Sequence, residues 1–140
     1  MEPIKITVLG NPQALKRHRT FRRGKFIGSY DPSQKEKEDF LLKVQSKAPP
    51  EPIKEPIALS VFFHLPRPQA HFGTGKNSGK KKASAPVWHT KRPDLDNLVK
   101  FILDSLNGVF WLDDSVVTKL TAIKIYSERP MTEILIEIFQ

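Results

Sequence analysis

The side chains best suited to chemistry crowd into two short stretches, K-R-P-D-L-D-N-L-V-K at 91–100 and F-W-L-D-D-S at 110–115. Asp94, Asp96, Asn97, Lys100, Asp113 and Asp114 are thereby grouped around one candidate helix. Carboxylates clustered beside a strongly basic segment are costly unless a cation neutralises them. Mg2+ meets that need, because it takes oxygen ligands, usually one or two protein carboxylates, keeps waters and shares its remaining positions with phosphate oxygens. Such an ion stabilises charge developing on a phosphate and lowers the pKa of a bound water until it can act as a nucleophile.

Geometry limits how Asp94 and Asp96 act together. Residues two apart point about 200° away from each other on a helix but share one face of an extended segment. Both reach one ion only if the chain is still extended there. Pro93 disfavours a helical Arg92, which places the helix start near Asp96 with Asp94 just before it and Lys100 one turn beyond Asp96. Ordinary roles compete: either aspartate can cap the helix, and Asp96, Lys100 and Asp104 have the spacing of i,i+4 pairs. Asp113-Asp114 and Asn107-Gly108 also suit solvated turns, and of the two adjacent aspartates one is expected inward and one solvated. His18, His64, His71 and His89 lack metal-ligand spacing, and G-T-G-K-N-S-G-K lacks that of a phosphate-binding P-loop.

Charge distribution points to a polyanionic partner. The net charge is +8. Residues 11–30 carry Lys16, Arg17, Arg19, Arg22, Arg23 and Lys25 with no acid, and residues 67–93 carry Arg67, Lys76, Lys80, Lys81, Lys82, Lys91 and Arg92, again with none. The rest of the chain is net acidic. Cations gathered this way favour nucleic acid first and an anionic membrane second.

The elements that must position these groups are legible from periodicity. Ile4, Ile6 and Val8 alternate as in a half-buried strand. Asp31-Pro32 supplies an N-cap and first-turn proline for a helix that turns Phe40, Leu41 and Val44 to a core and stops before Pro49-Pro50. Residues 57–65 read as a buried strand and 66–92 as a long loop broken by Gly73, Gly75 and Gly79, with a mobile basic segment at about 67–92. Leu95, Val99, Ile102 and Leu106 make the apolar stripe of a second helix that Gly108 ends. Val116 to Tyr126 and Ile134 to Phe139 look like closing strands joined through Glu128, Arg129 and Pro130. The expected fold is therefore one α+β domain over residues 1–140, a small mixed β-sheet with two main helices packed on it. The chain has no cysteine, which rules out disulfides, thiolate metal sites and thiol nucleophiles. The longest apolar stretch is too short for a membrane helix and the start shows no signal-peptide pattern, so a cytoplasmic protein is expected.

R-P-D-L-D-N-L-V-K (Arg92–Lys100), L-D-S-L-N-G (Leu103–Gly108) and W-L-D-D-S-V-V (Trp111–Val117) together resemble the RusA family of Holliday junction resolvases. The early strand, the basic segment with Lys16 and Arg19, and the Tyr30-Asp31-Pro32 approach to a helix fit more loosely. The resemblance implies a Mg2+-dependent endodeoxyribonuclease, often associated with phages and prophages, that binds four-way junction DNA as a homodimer and resolves it by paired nicks. It places the family's essential aspartates on Asp94, Asp96 and Asp114 and its essential lysine on Lys100. The long G-T-G-K-N-S-G-K-K-K loop departs from shorter members.

Asp94, Asp96 and Asp114, with Asp113 ranked lower, are the expected metal ligands, Mn2+ being an acceptable substitute for Mg2+. Lys100 is expected to stabilise phosphate charge or position a carboxylate. Lys16, Arg17, Arg19, Arg22, Arg23, Lys25, Lys76, Lys80, Lys81, Lys82, Lys91 and Arg92 are expected to contact DNA, and Phe21, Phe26, Tyr30, Phe72 or Trp88 to stack or wedge at a junction centre. Two rival readings are a non-catalytic nucleic-acid-binding module, which leaves the aspartates without a task, and a metal-dependent nuclease for flaps or RNA.

Overall fold

The structure, a computed structural model, describes residues 1–139. Its centre is the strand Ile57–Pro66, β4 in chain order, whose alternate residues Ile57, Leu59, Val61, Phe63 and Leu65 are all buried. The strands Ile4–Leu9 (β1), Val117–Ser127 (β5) and Met131–Ile138 (β6) complete a four-stranded sheet in the order β1-β6-β4-β5. β6 runs antiparallel to both β1 and β4, whereas β5 runs parallel to β4. A parallel neighbour requires the chain to return along the sheet before pairing, and the helix Leu95–Leu106 (α2) lies in that return.

α2 is strongly amphipathic. Leu98, Val99, Phe101, Ile102 and Leu106 are buried in the same core as the inward residues of β4. The helix Gln34–Val44 (α1) joins them through Phe40 and Val44, and the Phe40 and Phe101 rings meet edge to face with centroids 5.6 Å apart. Phe110 and Trp111, just after α2, are also fully buried. Gly108 follows the α2 C-cap at φ +81°, a left-handed conformation that glycine adopts without steric cost. Among the described residues no helix is long and apolar enough to cross a membrane. The α+β expectation, with two main helices on a mixed sheet, is borne out.

Three details differ from the sequence reading. The N-cap of α1 is Ser33 rather than Asp31; Asp31 instead accepts the Ser33 N–H at 2.9 Å and binds Lys37, so its carboxylate organises the approach one step earlier. The strands Arg19–Arg23 (β2) and Phe26–Tyr30 (β3) form a separate antiparallel hairpin that the sequence reading leaves out. Every residue of β2 is exposed, so no apolar alternation announces the strand. The long loop also holds short 3-10 turns at Gln69–His71 and Gly75–Asn77, and residues 87–89 lie against β5 through Tyr126 N–H to Val87 O at 2.9 Å and His89 N–H to Lys124 O at 3.3 Å.

Candidate active site

α2 begins one residue after Asp94, whose backbone is still extended at φ −72° and ψ 146°. Asp94 and Asp96 therefore straddle the change from extended chain to helix, the arrangement that lets side chains two apart face one region. The Asp94 side chain makes no capping hydrogen bond. Lys124, on β5, donates its Nζ to the carbonyls of Lys91 and Pro93, both at 2.7 Å, and so fixes the backbone that delivers Asp94. Sequence reasoning missed Lys124; a lone lysine inside the apolar run I-K-I-Y was the available signal.

A second segment closes on the same place. Leu15 donates its N–H to Asn97 O at 3.0 Å, and Lys16 N–H donates to the buried Ser33 Oγ at 2.8 Å. The segment 15–18 thus lies along the first turn of α2. Together they form an open pocket of about 410 Å³ lined by Leu15, Lys16, Arg17, His18, Asp94, Asp96, Asn97 and Lys100. A neighbouring cleft of about 400 Å³ is lined by Arg17, Arg92, Pro93, Asp94 and Asn97. The structure brings together Asp94, Asp96, Lys100, Lys16, Arg17 and Arg92 from the sequence-derived set and adds His18.

Among the described residues neither Asp94 nor Asp96 is in an ion pair, although both share a pocket with Arg17 and Lys100. Lys16 pairs with Glu36 at 3.1 Å, which diverts part of its charge from the pocket. Two unpaired carboxylates beside an amide side chain form a hard, all-oxygen donor set, and that chemistry fits Mg2+ or Mn2+ rather than a soft thiolate-seeking metal.

Asp113 and Asp114 do not join that pocket. They follow the other end of α2, so about 20 Å of helix separates them from Asp94. Asp113 is exposed and accepts the Ser115 N–H at 3.1 Å, capping the 3-10 turn Asp114–Val116; hydrogen bonding to Ser115 holds its carboxyl below the usual range. Asp114 is half-buried and accepts the Trp111 indole N–H at 2.8 Å. The expected inward and solvated pair is what is observed. Among the described residues no three metal-ligating side chains converge.

Residues 10–137 match the family described as Endodeoxyribonuclease RusA. The chain belongs to the RusA family. It is also similar to a Bacillus subtilis (strain 168) protein whose printed name is "Uncharacterized protein YqaN", with 37% identity over 142 residues covering 97% of this chain and 96% of that one. RusA proteins are endodeoxyribonucleases that resolve Holliday junctions with the help of a metal, so junction DNA is the substrate class of this enzyme.

The remaining basic residues of this RusA protein divide into exposed and committed groups. Arg19, Arg22, Arg23 and Lys25 project from the β2–β3 hairpin, and Lys76, Lys80, Lys81, Lys82 and Lys91 are exposed on the long loop. Arg67 is committed: it donates to Pro86 O at 2.6 Å and lies over the Tyr126 ring, which anchors the loop. Of the aromatic candidates, Phe21, Phe26, Tyr30 and Trp88 are exposed and Phe72 is half-buried.

Proposed function

We propose that this RusA protein is a Mg2+-dependent, homodimeric Holliday junction resolvase, with Mn2+ an acceptable substitute, that cuts four-way DNA by paired nicks in cytoplasmic recombination, repair or phage DNA processing. The observation that carries this reading is the presence of Asp94 and Asp96, both without ion-pair partners among the described residues, in one cationic pocket with Arg17 and Lys100. Asp94 and Asp96 hold the metal, Lys100 and Arg17 bind the scissile phosphate and oppose its developing charge, and Asn97 orients the ligands. The bound ion supplies neutralisation of the phosphate and a more acidic water.

Asp114 gives the dimer its catalytic reason. In one chain it lies at the wrong end of α2 to meet Asp94 and Asp96. A two-fold contact that sets the α2 helices of two copies antiparallel brings each Asp114 toward the other copy's Asp94 and Asp96. The same symmetry presents two equivalent sites to the two strands that must be nicked. Asp113, engaged in capping its turn, ranks below Asp114 as a ligand.

The test is incubation of four-way junction, flap, duplex and RNA substrates with and without Mg2+, together with a mixing experiment. Asp94→Asn and Asp114→Asn proteins, each inactive alone, are expected to regain single-strand nicking when mixed, because a heterodimer holds one intact site. Junction cleavage without divalent metal overturns the metal assignment. A fully active monomer overturns the dimer.

A further inference from the structure

We propose that the β2–β3 hairpin is a stacking platform for unpaired nucleobases of the DNA strand that leads into the pocket. Residues directly opposite in an antiparallel pair share a face, so the pairs Arg19–Tyr30, Phe21–Gly28 and Arg23–Phe26 lie on one side of the hairpin. That side carries three aromatic rings and two arginines. The Phe21 ring covers Gly28 so closely that a Cβ there would sit 2.6 Å from it, Phe26 stands 6.0 Å away in a tilted arrangement, and the Arg23 guanidinium is 5.8 Å from the Phe21 centroid.

Among the described residues nothing covers this face fully. Phe26 is 62% exposed, Tyr30 47% and Phe21 38%. A lone two-stranded hairpin is at best marginally stable in water, and apolar rings held out from it cost free energy unless a partner covers them. Aromatic faces flanked by arginine accept nucleobases of any sequence, through stacking and cation–π contact. The hairpin carries Arg19, Arg22, Arg23 and Lys25 and no acid, so hairpin-to-hairpin docking of a second copy sets like charges together, whereas DNA complements them.

Placement favours DNA over an anionic membrane. β2 starts at Arg19, the residue after pocket-lining His18, and a five-residue strand reaches about 17 Å outward. The rings therefore stand beyond the pocket along a path of a few nucleotides. Only this location rests on the function proposed above; the platform itself is argued from the hairpin.

The test measures binding in EDTA, which separates it from cleavage. Wild type, the Phe21→Leu/Phe26→Leu double variant and Ile27→Ser, a change on the opposite face, are compared on short oligothymidine, on duplex and on vesicles containing phosphatidylglycerol. The double variant is expected to bind oligothymidine roughly 5- to 100-fold more weakly, with an unchanged salt slope because no phosphate contact is removed. Ile27→Ser and duplex binding are expected to match wild type. Phe26→Trp in a Trp88→Phe background, whose other tryptophan is the fully buried Trp111, is expected to keep the affinity of its Trp88→Phe parent and to lose tryptophan emission when oligothymidine binds, which guards against a double variant whose hairpin unravels.

Unchanged oligothymidine affinity in the double variant, no emission change in Phe26→Trp, or a loss confined to vesicle binding overturns the proposal. So does dissociation of a dimer by the double variant in sedimentation. If both variants give the expected oligothymidine results while wild type cuts no junction with any divalent metal, the platform is supported and the function proposed above is removed.

Discussion

The fully buried Trp111 donates its indole N–H to Asp114 Oδ1 at 2.8 Å, so a core side chain fixes the direction of a carboxylate at the molecular surface. The adjacent Asp113 is spent on capping the following turn. One of two neighbouring aspartates is thus aimed by the core and the other stabilises the local backbone.

Trp111→Phe keeps a ring in the core but removes the donor. Stability is expected to fall by about 1–3 kcal/mol from the smaller ring and the orphaned acceptor. The Mg2+ concentration for half-maximal cleavage is expected to rise, with the rate recovering at high Mg2+. A stability loss with no change in metal dependence, read by metal titration of single-turnover cleavage, shows that the contact serves packing alone.

Asp94→Asn, Asp96→Asn and Asp114→Asn are each expected to lower cleavage by at least roughly 100-fold, since even groups that only support metal ligands cost about 10–100-fold when lost. Junction affinity in EDTA should survive, because no basic contact is removed. Lys100→Ala is expected to lose rate more than affinity. Substantial Mg2+-dependent turnover in all three aspartate variants contradicts the site.

His89 gives a pH dependence of known sign. It is buried against Tyr126, its Nδ1 has no hydrogen-bond partner among the described residues, and burial, reinforced by the Lys124 charge, pushes its pKa below the usual histidine value. The unfolded chain therefore takes up this proton at a higher pH than the folded one does. Stability is expected to fall as pH drops below about 6.5 until the depressed folded value is passed. Thermal unfolding of wild type and His89→Gln across this window tests it, the variant showing the flatter profile.

Lys80, Lys81 and Lys82 sit on the returning limb of the long loop, where Gly73 N–H donates to Lys80 O and Lys82 N–H donates to His71 O. Those bonds use the backbone and leave the charges outward. Replacing all three lysines by Gln is expected to weaken junction binding and to reduce the slope of log affinity against log salt by up to about 2.7. An unchanged slope in salt titrations assigns these lysines to solubility instead.

The sequence by itself determined those elements whose burial follows a simple period. The stripe Leu95, Val99, Ile102 and Leu106 located α2 to within a residue or so, and the apolar run of 57–65 located the central strand, because both bury a continuous face. The D-L-D-N-x-x-K run likewise marked the candidate pocket, since metal-assisted phosphate chemistry needs carboxylates and cations close together, whereas the W-L-D-D run does not join that pocket within one chain. The hairpin was not legible: its strands bury nothing, so their sequence carries charge and aromatic character without a hydrophobic period.

Only the tertiary structure decided which candidate groups meet. Lys16 to His18 reach Asp94 and Asp96 because Leu15 and Lys16 bond to α2 and to Ser33, contacts between segments far apart in the chain. Lys124, thirty residues after Asp94 in the chain, holds the Asp94 approach from β5. Asp114, close to Asp94 in sequence, is carried away by the rigid rise of α2, which must run back along the sheet so that β5 can pair parallel with β4. Sequence spacing fixes what a short segment can bury; long-range pairing fixes which side chains share a pocket.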